Sequence, residues 1–243
     1  MEVFGQTDVG CLRTVNQDAF EVRVFSSELA AAAVCDGMGG AKSGEIASEV
    51  AITSFVSDLE DAFSAGQLTI GTEDTVAAAV AKAGAAVRAR AKSDPECEGM
   101  GTTLVAAVVI DTEAIIVNVG DSRAYHISDG SILRVTRDHS VVEDMVARGE
   151  ITFEQARHHP SRNLITRVLG ASHGSSADVF PLSVSHGDFI LLCSDGLSNL
   201  MSSDEILVLL LAGDTLEGSC ARLVDEAMER GAPDNVTVAI IKI

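Results

Sequence analysis

The sequence predicts an α+β fold: two antiparallel β-sheets packed face to face, with pairs of α-helices on the outside. Three patterns carry that expectation. Short β-branched, apolar runs follow one another at spacings that suit hairpins, amphipathic helical stretches come in pairs between them, and four of the apolar runs are punctuated by aspartates.

The elements follow in order. Residues 30–35 form the first apolar run. Residues 44–63 place Ala47, Val50, Ala51, Phe55, Leu59, Ala62 and Phe63 on one helical stripe, with Glu49, Asp58, Glu60 and Asp61 off it. A second helix over 75–92 repeats the pattern with Val76, Val80, Ala83 and Val87, and Gly66 and Gly71 supply the turn between the two. Runs 102–110 and 114–119 flank Asp111-Thr112-Glu113 as a hairpin, and runs 124–128 and 131–135 are joined by Asp129-Gly130, a stronger hairpin signal still. The same sheet is therefore expected to continue as a meander. Residues 139–169 are polar and mixed, with helical fragments at 141–148 and 153–158, and read as a mobile surface segment. Strands at 177–182 and 188–193, helices at 204–211 and 216–230, and a strand at 236–243 complete the pattern.

With 243 residues, 47% of them hydrophobic, and no linker or repeat, the chain is expected to form one domain over 1–243. A net charge of −19 argues against nucleic acid and anionic membranes as partners. No apolar run reaches the length of a membrane span and the opening Met1-Glu2-Val3-Phe4-Gly5 lacks the build of a secretory signal, so a soluble, cytoplasmic protein is expected. Cys11, Cys35, Cys97, Cys193 and Cys220 are odd in number and contain no C-x-x-C pair, against both a disulfide framework and structural zinc. Cys35 and Cys193 read as small buried residues. The absence of heptads makes a monomer the expected state.

The chemistry is expected at strand ends. Run 30–35 stops at Asp36-Gly37, run 115–119 at Gly120-Asp121, run 189–193 at Ser194-Asp195-Gly196, and Asp234-Asn235 opens the last strand. Any one Asp-Gly is an ordinary turn signal. The four aspartates gathered at one rim of a sandwich would repel one another and raise their own pKa values, a conflict that hard cations resolve. Carboxylate and carbonyl oxygens are the ligand set of Mg²⁺ or Mn²⁺, and no Cys or His cluster competes for a softer metal.

These residues resemble the bacterial branch of the PP2C-type (PPM) metal-dependent Ser/Thr protein phosphatases. The resemblance runs in order through Thr7-Asp8-Val9-Gly10, Arg13, Asn16-Gln17-Asp18, Val34-Cys35-Asp36-Gly37-Met38-Gly39-Gly40 and Gly44-Glu45. It continues through Gly101-Thr102-Thr103, Val119-Gly120-Asp121-Ser122-Arg123, Asp138-His139-Ser140, Cys193-Ser194-Asp195-Gly196 and Gly231-Ala232-Pro233-Asp234-Asn235-Val236-Thr237. It implies a PP2C-like α/β/β/α layering and a centre of two or three Mn²⁺ or Mg²⁺ ions. Asp36 would bridge two cations, Asp195 and Asp234 would complete one, the Gly37 carbonyl would help hold the other, and Asp18 would act through metal-bound water. Asp121, with Asp195, would hold a third ion. A metal-bridged hydroxide would attack the phosphorus of phosphoserine or phosphothreonine, with Arg13 gripping the phosphate. Catalysis would rest on Arg13, Asp36, Asp195 and Asp234. Residues 139–169 match the family's flap, which influences substrate choice. The implied partners are phosphorylated proteins and the Ser/Thr kinase that the enzyme opposes.

Departures from the family pattern are informative. Met38 stands where some members have a histidine proposed as general acid, Ala41 where many bacterial relatives have another, and Gln17 where many have glutamate. A metal-bound water would then supply the leaving-group proton, and loss of the glutamate charge would weaken metal binding. His139 and His158-His159 read as solvated or capping side chains. The cluster Gly37-Met38-Gly39-Gly40 lacks the Gly-Lys-Ser/Thr ending of a nucleotide loop. The rival functions are a catalytically silent phosphoprotein-binding module of the same fold and a phosphatase of small metabolites.

Overall fold

Strands that are apolar at every position must be buried on both faces, and the chain builds two sheets to achieve this. The computed structural model describes residues 1–39, 43–171 and 176–243, so Gly40 and Ala41 lie outside the described residues. One sheet runs in spatial order β1 (Glu2–Asp8), β11 (Val236–Lys242), β10 (Phe189–Cys193), β7 (Arg123–Ser128) and β8 (Ser131–Arg134). The other runs β2 (Asp18–Ser26), β3 (Leu29–Met38), β5 (Leu104–Ile110), β6 (Glu113–Val119) and β9 (Asp178–Ser183), with the short β4 (Gly101–Thr102) paired to the end of β3. Every pairing among them is antiparallel.

The alternation of side chains sorts each strand between two cores. On β3, Ala30, Ala32 and Val34 face the opposite sheet, while Ala31, Ala33 and Cys35 face helices. On β11, Ala239 and Ile241 face the inter-sheet core and Val236, Val238 and Ile240 face outward into the second helical layer. The helices α1 (Ser43–Ser64) and α2 (Glu73–Ser93) cover one sheet; α5 (Asp195–Ser198), α6 (Ser203–Leu211) and α7 (Leu216–Glu229) cover the other. The result is the expected α/β/β/α sandwich.

The expected meander is corrected. The β5–β6 hairpin belongs to one sheet and the β7–β8 hairpin to the other, and the chain crosses between them over residues 120–122. Gly120 makes the crossing: its φ is +115°, and a Cβ there would lie 2.5 Å from the Thr103 side chain. The Asp129-Gly130 turn is as expected, with φ of 49° and 70° at its two residues.

Strands β1 and β2 carried no clear sequence signal. Both are sheet edges, mostly half-buried, and mix Glu, Gln, Thr and Arg into their runs. Phe63, placed on the α1 stripe, is 40% exposed and packs against Phe25 in a tilted pair with ring centroids 5.2 Å apart.

Residues 139–169 contain α3 (Val141–Ala147) and α4 (Phe153–Arg157). The base of the segment is stitched to the sandwich: Thr102 and Leu169 exchange both backbone hydrogen bonds, at 3.1 and 2.8 Å, and the Thr166 N–H donates to the His139 carbonyl at 2.7 Å.

Candidate active site

Antiparallel register brings the carboxylates together. Asp18 opens β2 directly opposite Asp36 on β3. Asp195 follows the end of β10, Asp234 precedes β11, and β10 and β11 pair with each other, so both reach the same rim. Asp121 lies in the crossing just beyond β6. All five are half-buried.

Their electrostatics record the crowding. Partial burial, then repulsion by Asp18, Asp195, Asp121 and Asp234, pushes the Asp36 carboxyl well above its usual range. Burial and repulsion also lift Asp195 to about 6, with Asp234 the main neighbour. Burial and then Asp195 and Asp138 lift Asp121 to about 7. Asp18 also rises to about 7 through burial, although two hydroxyls stabilise its ionised form.

Those hydroxyls form a chain. Asp18 Oδ2 accepts from Ser194 Oγ at 2.7 Å and from Thr237 Oγ1 at 2.6 Å. Thr7 Oγ1 lies 2.7 Å from Thr237 Oγ1 and accepts from the Asn16 amide at 2.8 Å. With one oxygen committed to two donors, Asp18 is oriented before any ligand arrives.

Backbone contacts fix the other carboxylates. The Asp36 N–H donates to Thr103 Oγ1 at 2.9 Å, and its carbonyl accepts from the Thr102 hydroxyl at 2.8 Å and the Thr103 N–H at 2.9 Å. Thr103 Oγ1 also contacts Ser122 Oγ at 2.8 Å, tying Asp36 to the turn that carries Asp121. Asn199 Nδ2 donates to Asp195 Oδ2 at 3.0 Å. Asn235 joins three segments: its Oδ1 accepts from the Gln17 N–H at 2.8 Å, and its Nδ2 donates to the carbonyls of Val9 at 2.9 Å and Val15 at 3.1 Å. Glycines allow the loops to touch. A Cβ on Gly10 would meet the Asp234 carbonyl oxygen at 2.1 Å, one on Gly37 that of Gly44 at 2.0 Å, and one on Gly196 that of Asn235 at 1.9 Å.

Arg13 Nη2 donates to Asp234 Oδ2 at 2.8 Å while 52% of its side chain stays exposed, so the guanidinium stands at the mouth of the site. The Gly37 N–H donates to the Gln17 carbonyl at 3.0 Å. Met38 ends β3, half-buried and paired with Gly101. The cavity over the rim measures about 810 Å³ and extends from Arg13, Asp121, Asp195 and Asp234 to the wall formed by α4.

One expectation about histidine is overturned. His139 is 6% exposed, neither solvated nor a helix cap: its Nδ1 accepts from the Gly120 N–H at 3.0 Å and its Nε2 meets Asp178 Oδ2 at 3.1 Å. The Gly120 carbonyl in turn accepts from the His139 N–H at 2.9 Å, so this residue clamps the crossing beside Asp121. Burial raises the Asp178 carboxyl, but hydrogen bonds from His139 and Arg167 outweigh it, and the net displacement is downward. His158 is exposed, and His159 accepts from the Ser161 N–H. Cys35 and Cys193 are fully buried, and burial holds both thiols protonated, Cys193 being pushed up to about 12.

Ser194, Thr237, Thr103, Asn199 and Asn235 have no assigned role in the sequence. For Ser194, Thr237, Thr103 and Asn235 the available signal is a short polar residue at the end of an otherwise apolar strand or beside a candidate aspartate; Asn199, at the end of α5, has none.

The donor set fits hard divalent cations: carboxylates whose mutual repulsion goes largely uncompensated, backbone carbonyls, and no thiolate or imidazole among them. Among the described residues, no three acidic, His or Cys side chains close on a point as a ready-made cage.

Residues 13–236 match the family model described as protein phosphatase 2C. Among curated proteins, the serine/threonine phosphatase stp of Listeria monocytogenes is 33% identical over 240 residues, covering 98% of this chain and 94% of that protein. Among solved structures, serine/threonine phosphatase Stp1 from Staphylococcus aureus superposes with a TM-score of 0.90 at 36% identity, covering 100% of this chain and 94% of that one. The catalytic domain of the phosphatase PstP, solved with two manganese ions, superposes at 0.85 with 33% identity, covering 98% of this chain and 96% of that one. With its sandwich, its aspartate rim and these likenesses in agreement, the chain belongs to the protein phosphatase 2C family.

Proposed function

We propose that the protein is a metal-dependent phosphatase that hydrolyses phosphoserine and phosphothreonine esters in proteins. The observation that carries this reading is the meeting of Asp36, Asp195 and Asp234, with Asp18 and Asp121 beside them, on one rim where the exposed Arg13 pairs with Asp234.

In this reading Asp36, Asp195, Asp234 and the Gly37 carbonyl would hold two Mn²⁺ or Mg²⁺ ions, and Asp121 with Asp195 would take a third. Bound there, such cations acidify water and offset the charge of an incoming phosphate dianion. The chain's own residues do the rest. Arg13 leaves Asp234 for the phosphate oxygens, which its planar fork matches in two-point fashion. Asp18, its Oδ2 held by Ser194 and Thr237, keeps its other oxygen uncommitted to those donors and would orient water by hydrogen bonding. Met38 has no proton to give, so the departing alkoxide takes its proton from solvent within the site.

Residues 139–169 are taken as a flap on one domain spanning 1–243, and a cognate Ser/Thr kinase as the source of the substrate. A monomer is the state we infer. The five free cysteines, four of them buried, support a reducing, cytoplasmic setting; no helix among the described residues is long and apolar enough to cross a membrane.

The direct test is phosphate release from a phosphothreonine peptide with and without Mn²⁺, for wild type, Asp36→Asn and Asp234→Asn. Metal-dependent turnover lost in both variants supports the reading. A folded wild type inactive with every divalent metal points instead to a silent phosphoprotein-binding module, and turnover confined to small phosphorylated metabolites to a metabolite phosphatase.

A further inference from the structure

We propose that the groove leading from the aspartate rim between α4 and the turn before α6 receives the substrate polypeptide and selects segments with carboxylates close to the phosphorylated residue. This inference rests on the phosphatase reading and specifies the substrate of that same site.

Besides Arg13 and the aspartates, the cavity is lined by Phe153, Ala156 and Arg157, which share a face of α4 at i, i+3 and i+4, and by Arg162. Asn199, Leu200, Ser202 and Ser203, around the turn before α6, also line it. Phe153 is 65% exposed and offers an apolar rest for an extended chain.

Charge decides what that chain carries. The protein has 36 acidic and 17 basic residues, so acidic partners for a guanidinium are plentiful in it. Deeper in the same cavity Arg123 and Arg134 are both committed to Asp138, at 2.7 and 2.9 Å, and Arg13 is committed to Asp234. Arg157 and Arg162 are exposed, line the groove, and make no ion pair among the described residues. Arg157 also closes the last turn of α4, where a cation complements the helix end, but Arg162 lies beyond the helix and that role does not account for it. Two unpaired guanidiniums lining one cavity, beside a site that takes a phosphate, form a receptor for further anionic groups on the same chain.

The overall field pulls the other way. A net charge of −19 favours a basic substrate at long range. At physiological ionic strength that field is screened beyond about 8 Å, whereas direct contacts in the groove are not. The two effects therefore forecast opposite flanking preferences.

The experiment measures kcat/KM at 0.15 M salt for phosphothreonine peptides with acidic, neutral or basic flanks, using wild type, Arg157→Gln/Arg162→Gln, and Arg222→Gln. The last removes the same kind of charge from α7, away from the groove. Wild type should favour the acidic over the neutral peptide by about threefold to tenfold, as two exposed ion pairs provide. The double variant should bring that ratio close to one, and Arg222→Gln should leave it intact. A preference for the basic peptide, or an acidic preference that survives in the double variant, overturns the proposal. Fluorescence anisotropy of the labelled acidic and neutral phosphopeptides in EDTA reads the groove separately from turnover. If no peptide is hydrolysed, the phosphatase reading fails, while equal affinity for the two labelled peptides removes the groove.

Discussion

The two ends of the sandwich contain the same dipeptide and use it differently. At one end Asp129-Gly130 joins β7 to β8, and a Cβ on Gly130 would meet nothing within 4 Å. At the other end Asp36-Gly37 and Asp195-Gly196 bring backbone so close to backbone that a Cβ would lie 2.0 and 1.9 Å from a carbonyl oxygen. The first glycine serves the conformation of its own turn; the other two serve the approach of another chain segment. An aspartate before a glycine of the second kind is held among other loops, and so it meets other carboxylates.

That contrast can be broken by experiment. Asp36→Asn should reduce metal-dependent phosphate release by about a thousandfold or more, because it removes a charge on which the reacting centre depends. Asp129→Asn should leave the rate unchanged within error, since that turn touches no other segment. A parallel loss in both variants would mean that the two ends do not differ.

Gly196→Ala should cost about 3 kcal/mol by urea denaturation, since the methyl group must displace the Asn235 backbone. Gly130→Ala should cost about 1–2 kcal/mol, the penalty of its φ of 70° alone. Equal costs would show that the close approach adds nothing.

Thr237→Val sharpens the comparison within the rim itself. It keeps the shape of the strand and removes one of two donors to Asp18, so Mn²⁺ affinity by calorimetry should fall about 10- to 100-fold. Unchanged affinity would reduce the hydroxyl chain to scaffolding.

The smallest effect is on pH. Asp18 and Asp121 near 7, Asp195 near 6 and Asp36 well above its ordinary value all bind protons more tightly folded than unfolded. Their contribution to stability is therefore full below the ordinary carboxylate range near 4 and is lost as pH rises through about 6 to 7. Metal-stripped protein should melt at a lower temperature at pH 8 than at pH 5 from this source, and saturating Mn²⁺ should reduce the difference. Metal-stripped melting that rises with pH would contradict the sign.

The fold was legible where burial is complete. β3, β5, β6, β10 and β11 are apolar on both faces, and nothing but the interior of a layered structure accommodates such runs. The edge strands β1 and β2 were not legible, because half-buried strands tolerate Gln6, Glu21 and Arg23. The switch between sheets at residues 120–122 was hidden because a hairpin pattern specifies its own partner strand, not the sheet to which it belongs. At the rim, the aspartates could be picked out by their places at strand ends. Asn235, Ser194 and Thr237 could not be given tasks, since a hydroxyl or amide acquires one only from the segments brought against it in three dimensions.

Strand β11 lies between β1 and β10, and Asp234 and Asn235 stand at its entrance. During synthesis this strand leaves the ribosome long after the segments it must separate, so β1 has no neighbour in its sheet until β11 arrives. The nascent chain thus carries Asp36 and Asp195 without the residues that complete their rim. The rim is therefore completed only when β11 has taken its place between β1 and β10.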